Sequence, residues 1–249
     1  MTRRYYAPDL PTAGGTLALS DEEASHAARV MRAKAGDTIT LFDGRGHESR
    51  ATITAIDKRN CVVEAGSAVA VNREPSCRMR FGIALPKPDR AKELIERLTE
   101  LGVHRVTPLV CNRTQRPPTE SLLSKLQRIV IESSKQCERN VLMSIDASMP
   151  IDAFLAESHA TKPHATKPHA TRPHAGACWI AHPDGRPIRT AAAECQDATT
   201  ATVLIGPEGG FSDEEVHWAI ESGFEQVGLG ARIYRVETAA CVLAAHLAG

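Results

Sequence analysis

The stretch VLIGPEGGFSDEEV, residues 203–216, sets one carboxylate, Glu208, among Gly206, Pro207, Gly209 and Gly210. Glycines at such a turn let the backbone approach a ligand closely and leave amide N–H groups free to bind it. On the left, Val203-Leu204-Ile205 is a short apolar run that reads as a buried strand. On the right, Ser212 and Glu215 fit a capping box, with Asp213 and Glu214 favourable in the first turn of a helix. An ordinary strand-to-helix turn uses glycine in the same way, so the loop by itself does not identify a ligand. Two familiar nucleotide loops are excluded, because neither G-x-x-x-x-G-K-[ST] nor G-x-G-x-x-G occurs here.

A second stretch, LGARIYRVETAACVLAAHLA from Leu229, repeats the plan of strand, glycine turn and helix. It crowds Arg232, Arg235, Glu237 and Thr238 at the helix start. A capped helix carrying surface arginines explains it equally well when taken alone. Taken together, the two turns fall at strand ends, where an open α/β sheet places a ligand crevice.

The elements that must position them are legible in outline. LSDEEASHAARVMRAKAGD reads as a helix with a second capping box, Ser20 and Glu23, and Gly36 beyond its basic last turn. TITLFD, ESRATITAID and CVVEAGSAVAV read as strands of a small β-rich unit ending near Glu74-Pro75. From Met79 the rhythm becomes α/β. FGIAL is a strand, DRAKELIERLTELG a helix with Leu94, Ile95, Leu98 and Leu101 on one face, and VHRVTPLV the next strand. A long helix within TESLLSKLQRIVIESSKQCERN follows, then strands at CWIAH, 203–205 and QVGLG, and a last helix from about Glu237. Strands alternating with helices predict a parallel sheet covered on both faces.

The net charge is zero, but residues 75–140 hold thirteen Lys/Arg against seven Asp/Glu, and residues 141–249 the reverse. The basic segment is a candidate polyanion face, although a solvated surface has the same composition. Seven cysteines without a C-x-x-C suit reduced thiols. No apolar run reaches the length of a membrane span, and MTRRYYAPDL lacks a signal-peptide core, so the expectation is a cytoplasmic protein without a membrane partner. The repeat HATKPHATKPHATRPHA, residues 159–175, has proline at every fifth position and nothing to bury. It reads as a disordered surface insertion, and its four histidines, lacking fixed geometry, are assigned no metal.

LIGPEGGFSDEEV followed by LGARIYRVETA closely resembles the signature of the RsmE family, the small-subunit ribosomal RNA uridine-N3 methyltransferases. RYYAP, HAARVMRAKAGDTITLFDG, ELIERLTELGVHRVTPLVCNRT and KQCERN are similar to further stretches of that family, in its order. The resemblance covers nearly all of the chain except the histidine repeat. It implies a PUA-like β-barrel over residues 1–74 and a SPOUT-type knotted α/β methyltransferase domain over residues 75–249. It also implies a homodimer, S-adenosylmethionine as cofactor, and 16S ribosomal RNA of the small subunit as substrate. By resemblance, Gly206, Pro207, Glu208, Gly209 and Gly210 line the cofactor from one side, and Leu229, Gly230, Ile233 and Arg235 from the other. Glu237 and Thr238 brace the second loop.

The chemistry so implied is methyl transfer from a sulfonium to uridine N3, with the cofactor supplying the electrophile. The N3 proton has a pKa roughly two units above neutral, so its removal costs about 2.7 kcal/mol. A cation near O2 or O4 would stabilise the anion, and Arg113, in VCNRT, and Arg235 are the candidates for this catalytic role. Arg113 is equally suited to an RNA phosphate. His182, in IAHP, is a candidate base set against an ordinary structural histidine. Arg3, Arg4, Arg29 and Arg32 are candidate phosphate contacts, and Tyr5-Tyr6 either stacks on a base or packs the barrel. The rival readings are a knotted methyltransferase acting on another RNA position, and a non-catalytic RNA-binding ribosome-assembly factor.

Overall fold

The computed structural model describes residues 3–160 and 176–248, with no side-chain placement at 159 and 160. The histidine repeat, and the disorder expected of it, therefore lie outside the described residues. The chain divides into one compact unit of Met1–Glu74 with Ile131–Leu142, and a second of Pro75–Val130 with Met143–Gly249. Residues 131–142 count with the first unit, which a single boundary at Glu74-Pro75 does not provide for.

In the first unit, β1 (Arg4–Tyr6), β2 (Gly15–Ala18), β3 (Thr38–Phe42), β4 (His47–Ile56), β5 (Cys61–Ala65) and β6 (Val69–Ala70) form one sheet. The order is β1-β3-β4-β5-β2, with β6 also on β4. β1 runs parallel to β3 and the other pairs are antiparallel. Alternate residues turn inward: Ile39 and Leu41 of β3, Ala51 and Ile53 of β4, Cys61 and Val63 of β5. They pack with Tyr5, Leu10, Leu19, Ala24 and Ala27.

The expected helix here is a correction. α1 covers only Asp21–Ser25 and passes into a π-helical turn, His26–Val30. The wide turn shows in its bonds, with the Met31 N–H donating to the His26 carbonyl at 3.1 Å and the Ala33 N–H to that of Ala27 at 2.9 Å. Arg32, at φ 49°, then leaves helical space. Half of the expected box forms: Ser20 Oγ accepts from the Glu23 N–H at 3.3 Å. The Glu23 carboxylate does not reach back, because it is engaged by Lys135 Nζ at 3.0 and 3.2 Å.

The second unit carries β7 (Arg78–Ile83), α2 (Pro88–Glu100), β8 (Arg105–Val110), the first part of α3 (Glu120–Gln136), β9 (Ser144–Ile145), β10 (Met149–Pro150) and α4 (Ile151–Ala160). Then come β11 (Ala177–Pro187), α5 (Ile188–Glu194), β12 (Thr200–Ile205), α6 (Asp213–Glu221), β13 (Glu225–Gly228) and α7 (Val236–Ala248). The sheet order is β10-β8-β7-β12-β11-β13, with β9 on β8, and every pairing is parallel. Burial in β7, β8 and β12 is nearly continuous, as both faces are covered. α2, α5 and α7 contact one another, and α4 contacts α6. Leu204, Leu109 and Ile180 point to the α4–α6 side, where Phe154, Val216 and Phe224 close the core.

One crossing governs the end of this unit. Ala181 and Arg186 of β11 both align with Val227 of β13, so residues 182–185 loop out around that strand. A Cβ on Gly185 would stand 2.5 Å from the Val227 backbone, and one on Gly228 2.6 Å from the Gly185 carbonyl oxygen. Only glycine lets the two segments pass this closely.

Candidate functional site

β11, β12 and β13 are parallel neighbours, so their carboxyl ends open on one edge of the sheet. The segments leaving them enclose a cavity of about 260 Å³. Gly206, Pro207, Glu208, Gly209 and Gly210 line it from the β12 side, and Leu229, Gly230 and Ile233 from the β13 side. Those eight residues are thus brought together as the sequence suggested. Arg235 does not line the cavity; it is exposed and immediately precedes α7. Gly210 (φ +74°) and Gly230 (φ +109°) hold backbone conformations that side chains resist.

Sequence reasoning missed several walls. Ala181, His182 and Pro183 enter from the loop-out of β11, and Phe211, Val227, Arg232 and Tyr234 complete the lining. Only the crossing brings the β11 segment here, and no local pattern announces it. His182 has Nδ1 accepting from the Asp184 N–H at 3.2 Å, so a neutral ring presents Nε2–H, a donor. That arrangement suits an orienting group better than a base.

The glycine loop is held from one side by the residues that follow β8. The Ser212–Glu215 capping box is complete, with Glu215 Oε2 accepting from the Ser212 N–H at 2.7 Å and Ser212 Oγ from the Glu215 N–H at 3.3 Å. Glu215, only 1% exposed, also accepts from the Asn112 N–H at 2.7 Å through Oε1. Asn112 Nδ2 donates to Ser212 Oγ at 3.1 Å. Arg113 donates through one guanidinium nitrogen to the carbonyls of Gly209 at 2.8 Å and Phe211 at 3.1 Å. Arg113 therefore fastens the loop and does not itself line the cavity. Beside it, burial and the Glu215 charge push the Cys111 thiol up to about 12, so it is protonated and inert at neutral pH.

The four arginines offered to RNA separate into two kinds. Arg29 and Arg32 are exposed. Arg3 is half-buried and paired with Asp37. Arg4 is a correction: at 7% exposure it donates to Glu48 at 3.0 Å and to Asn140, and stacks 5.2 Å over Phe42. Its head group is spent inside the first unit and is closed to a phosphate. Tyr5, 1% exposed, packs the core.

Two family descriptions match the chain: an RNA methyltransferase domain over residues 73–248 and an RNA methyltransferase PUA domain over residues 19–65. Ribosomal RNA small subunit methyltransferase E of Synechocystis sp. is 30% identical over 233 residues, covering 93% of this chain and 72% of that protein. A proposed methyltransferase of Legionella pneumophila, solved with the cofactor SAM bound, superimposes with a TM-score of 0.83 at 30% identity, over 99% of this chain and 96% of that one. The ribosomal RNA small subunit methyltransferase E of Neisseria gonorrhoeae shares the fold, with a TM-score of 0.85 at 24% identity, over 98% and 96% of the two chains. With a PUA-like unit preceding a knotted, SPOUT-type α/β unit, this chain belongs to the RNA methyltransferases of the RsmE family.

Proposed function

We propose that this protein is an S-adenosylmethionine-dependent methyltransferase that methylates N3 of one uridine in 16S ribosomal RNA of the small subunit. The observation that carries the reading is the cavity between the two glycine turns, in a family with a relative solved around the same cofactor. The residues present fit that cofactor: glycines leave backbone amides and carbonyls open to adenine and ribose, and Leu229, Val227 and Ile233 give apolar walls. When bound, the cofactor supplies an activated methyl group.

The protein's own task is to orient both partners and stabilise charge. Arg113 fixes the Gly209 and Phe211 carbonyls and so sets the loop's shape. Arg235, exposed at the start of α7, is the cation we assign to the uridine O2 or O4 as N3 loses its proton. No side chain is assigned as the base, and water accepts the proton. Exposed Arg29 and Arg32 remain our candidates for phosphate contacts. A ribosomal substrate makes the cytoplasm the working compartment; among the described residues no helix is long and apolar enough to cross a membrane. We also assign a homodimer, in which a second copy would cover apolar surface such as Ile233, which is 91% exposed.

Calorimetry with S-adenosylmethionine and transfer of its labelled methyl group to small subunits test the reading together. Binding without transfer would favour the assembly-factor reading, and no binding by folded protein would overturn both. Light scattering tests the dimer.

A further inference from the structure

A second cavity, of about 810 Å³, lies on the other side of the glycine loop. Its walls are the segment after β7 (Ala84 to Arg90), the segment after β8 (Thr114 to Thr119, with Leu122), and Pro207-Glu208 after β12. The chain leaves β7 towards β8 in one direction and places β12 and β11 in the other, so β7 and β12 flank the point where strand order reverses. Open α/β sheets bind ligands at that point. Pro207 and Glu208 line both cavities, so a ligand in one is separated from a ligand in the other by a single turn of backbone.

The chemistry of the lining is specific. Lys87, Arg90 and Arg116 place three cations around one carboxylate, Glu208. Lys87 and Arg116 are exposed and have no ion-pair partner among the described residues. Arg90 Nε stands 4.0 Å from Glu237 Oε1, and that glutamate is buried with its Oε2 unpartnered among the described residues. Pro86, Pro88, Pro117 and Pro118 add rigid apolar faces between the cations. Cationic groups beside flat apolar walls are what a single-stranded nucleotide requires, the first for phosphate and the second for the base. The volume falls within the roughly 300–1,000 Å³ usual for small-ligand sites.

We propose that this cavity receives the target nucleotide, its base against the proline-lined wall beside Glu208 and its phosphates on Lys87, Arg90 and Arg116. The inference rests on the methyltransferase reading above, and it assigns the acceptor to the side of the glycine loop opposite the cofactor. An unpaired uridine enters it; a base held in a duplex does not fit beside the loop.

Two measurements on the full-length protein test this. The first is photocrosslinking of 4-thiouridine 5′-monophosphate to the protein saturated with S-adenosylhomocysteine, followed by peptide mass spectrometry. Adducts are expected within 84–90 or 114–122, and adducts elsewhere, or none at saturating probe, overturn the proposal. The second is the Lys87→Glu/Arg116→Glu variant, checked for folding by circular dichroism. Its KM for small subunits should rise at least tenfold while S-adenosylmethionine affinity stays within twofold. An unchanged KM, or a cofactor affinity that falls in step, contradicts an acceptor site. Should the wild-type protein transfer no methyl group to subunits, the functional reading fails and the crosslink alone decides the cavity.

Discussion

Arg113 and Gly209 touch where the loop after β8 meets the loop after β12, and they carry separable consequences. A Cβ added at Gly209 would lie 3.4 Å from Arg113 Cδ, an ordinary contact, so the backbone tolerates a side chain there. Gly209→Val is therefore expected to fold, yet to crowd Arg113 and the cavity it borders, removing measurable S-adenosylmethionine binding by calorimetry. Unchanged affinity would reduce the loop to a turn. Arg113→Ala deletes two hydrogen bonds from a charged donor, each worth about 1.5 kcal/mol or more, so cofactor affinity should fall by at least about tenfold. Arg235→Ala should instead lower kcat with little effect on cofactor affinity, as expected for a group that meets only the developing anion. If Arg113→Ala lowers kcat alone and Arg235→Ala weakens cofactor binding, the two roles are exchanged. The eight cavity residues were legible in the sequence because glycine and proline mark a turn wherever they fall. Arg113 was legible as functional, but its partners were not. Its contacts join residues about a hundred positions apart, and no local pattern encodes them.

At the scale of elements, the stretch KQCERN acquires a physical reason. Lys135, 9% exposed, meets the buried Glu23 from a position 112 residues away, and Arg139 pairs with Glu74 at 2.8 Å. Asn140 donates to Glu48 at 3.1 Å, beside Arg4. The end of α3 is thereby fixed to the first unit by ion pairs, where periodicity shows only a helix. Burial raises the Glu23 carboxyl above its ordinary value, and Lys135 opposes this. Lys135→Met leaves that carboxyl unpaired and should cost roughly 3–5 kcal/mol at neutral pH. The loss should ease as pH falls through Glu23's raised pKa, because the neutral acid tolerates burial; a pH-independent loss in thermal melts would contradict this. Glu48 behaves in the opposite sense. Burial works to raise it, but hydrogen bonds from Arg73, Arg4 and Asn140 outweigh that and bring it to about 2. Unfolded, it would titrate near 4.5. Its contribution is full above about 4.5 and is lost as pH falls towards 2. Glu48→Gln should flatten the acid limb of the stability curve between these values, and an unaltered limb would show that the cluster contributes nothing. Strands were read well because alternation in β3 to β5 is a local signal. The π-helical turn was not, since a five-residue hydrogen bond leaves no mark on composition.

For the whole molecule, the decisive feature is the passage of residues 182–185 around β13, which brings three strand ends to one cavity. Ordinary topology rules argue against such a crossing, so pattern reading alone could not supply it, and only the family resemblance anticipated a knot. Gly185 and Gly228 mark the passage, yet in sequence they look like any turn glycines. The fifteen residues 161–175 lie between α4 and β11 and carry no apolar period to bury. Deleting them should leave cofactor affinity and melting temperature nearly unchanged, since closure entropy depends only weakly on loop length. A fall of more than about 8 °C would show that they support the core.

The central claim concerns the atom that is methylated. Small subunits from cells lacking this protein, incubated with purified protein and S-adenosylmethionine, yield ribosomal RNA whose nucleosides can be resolved by mass spectrometry against authentic 3-methyluridine. The expected result is 3-methyluridine at a single position in 16S ribosomal RNA, absent without the protein. A methyl group on uridine C5, on the ribose 2′-oxygen or on another RNA would contradict the assignment.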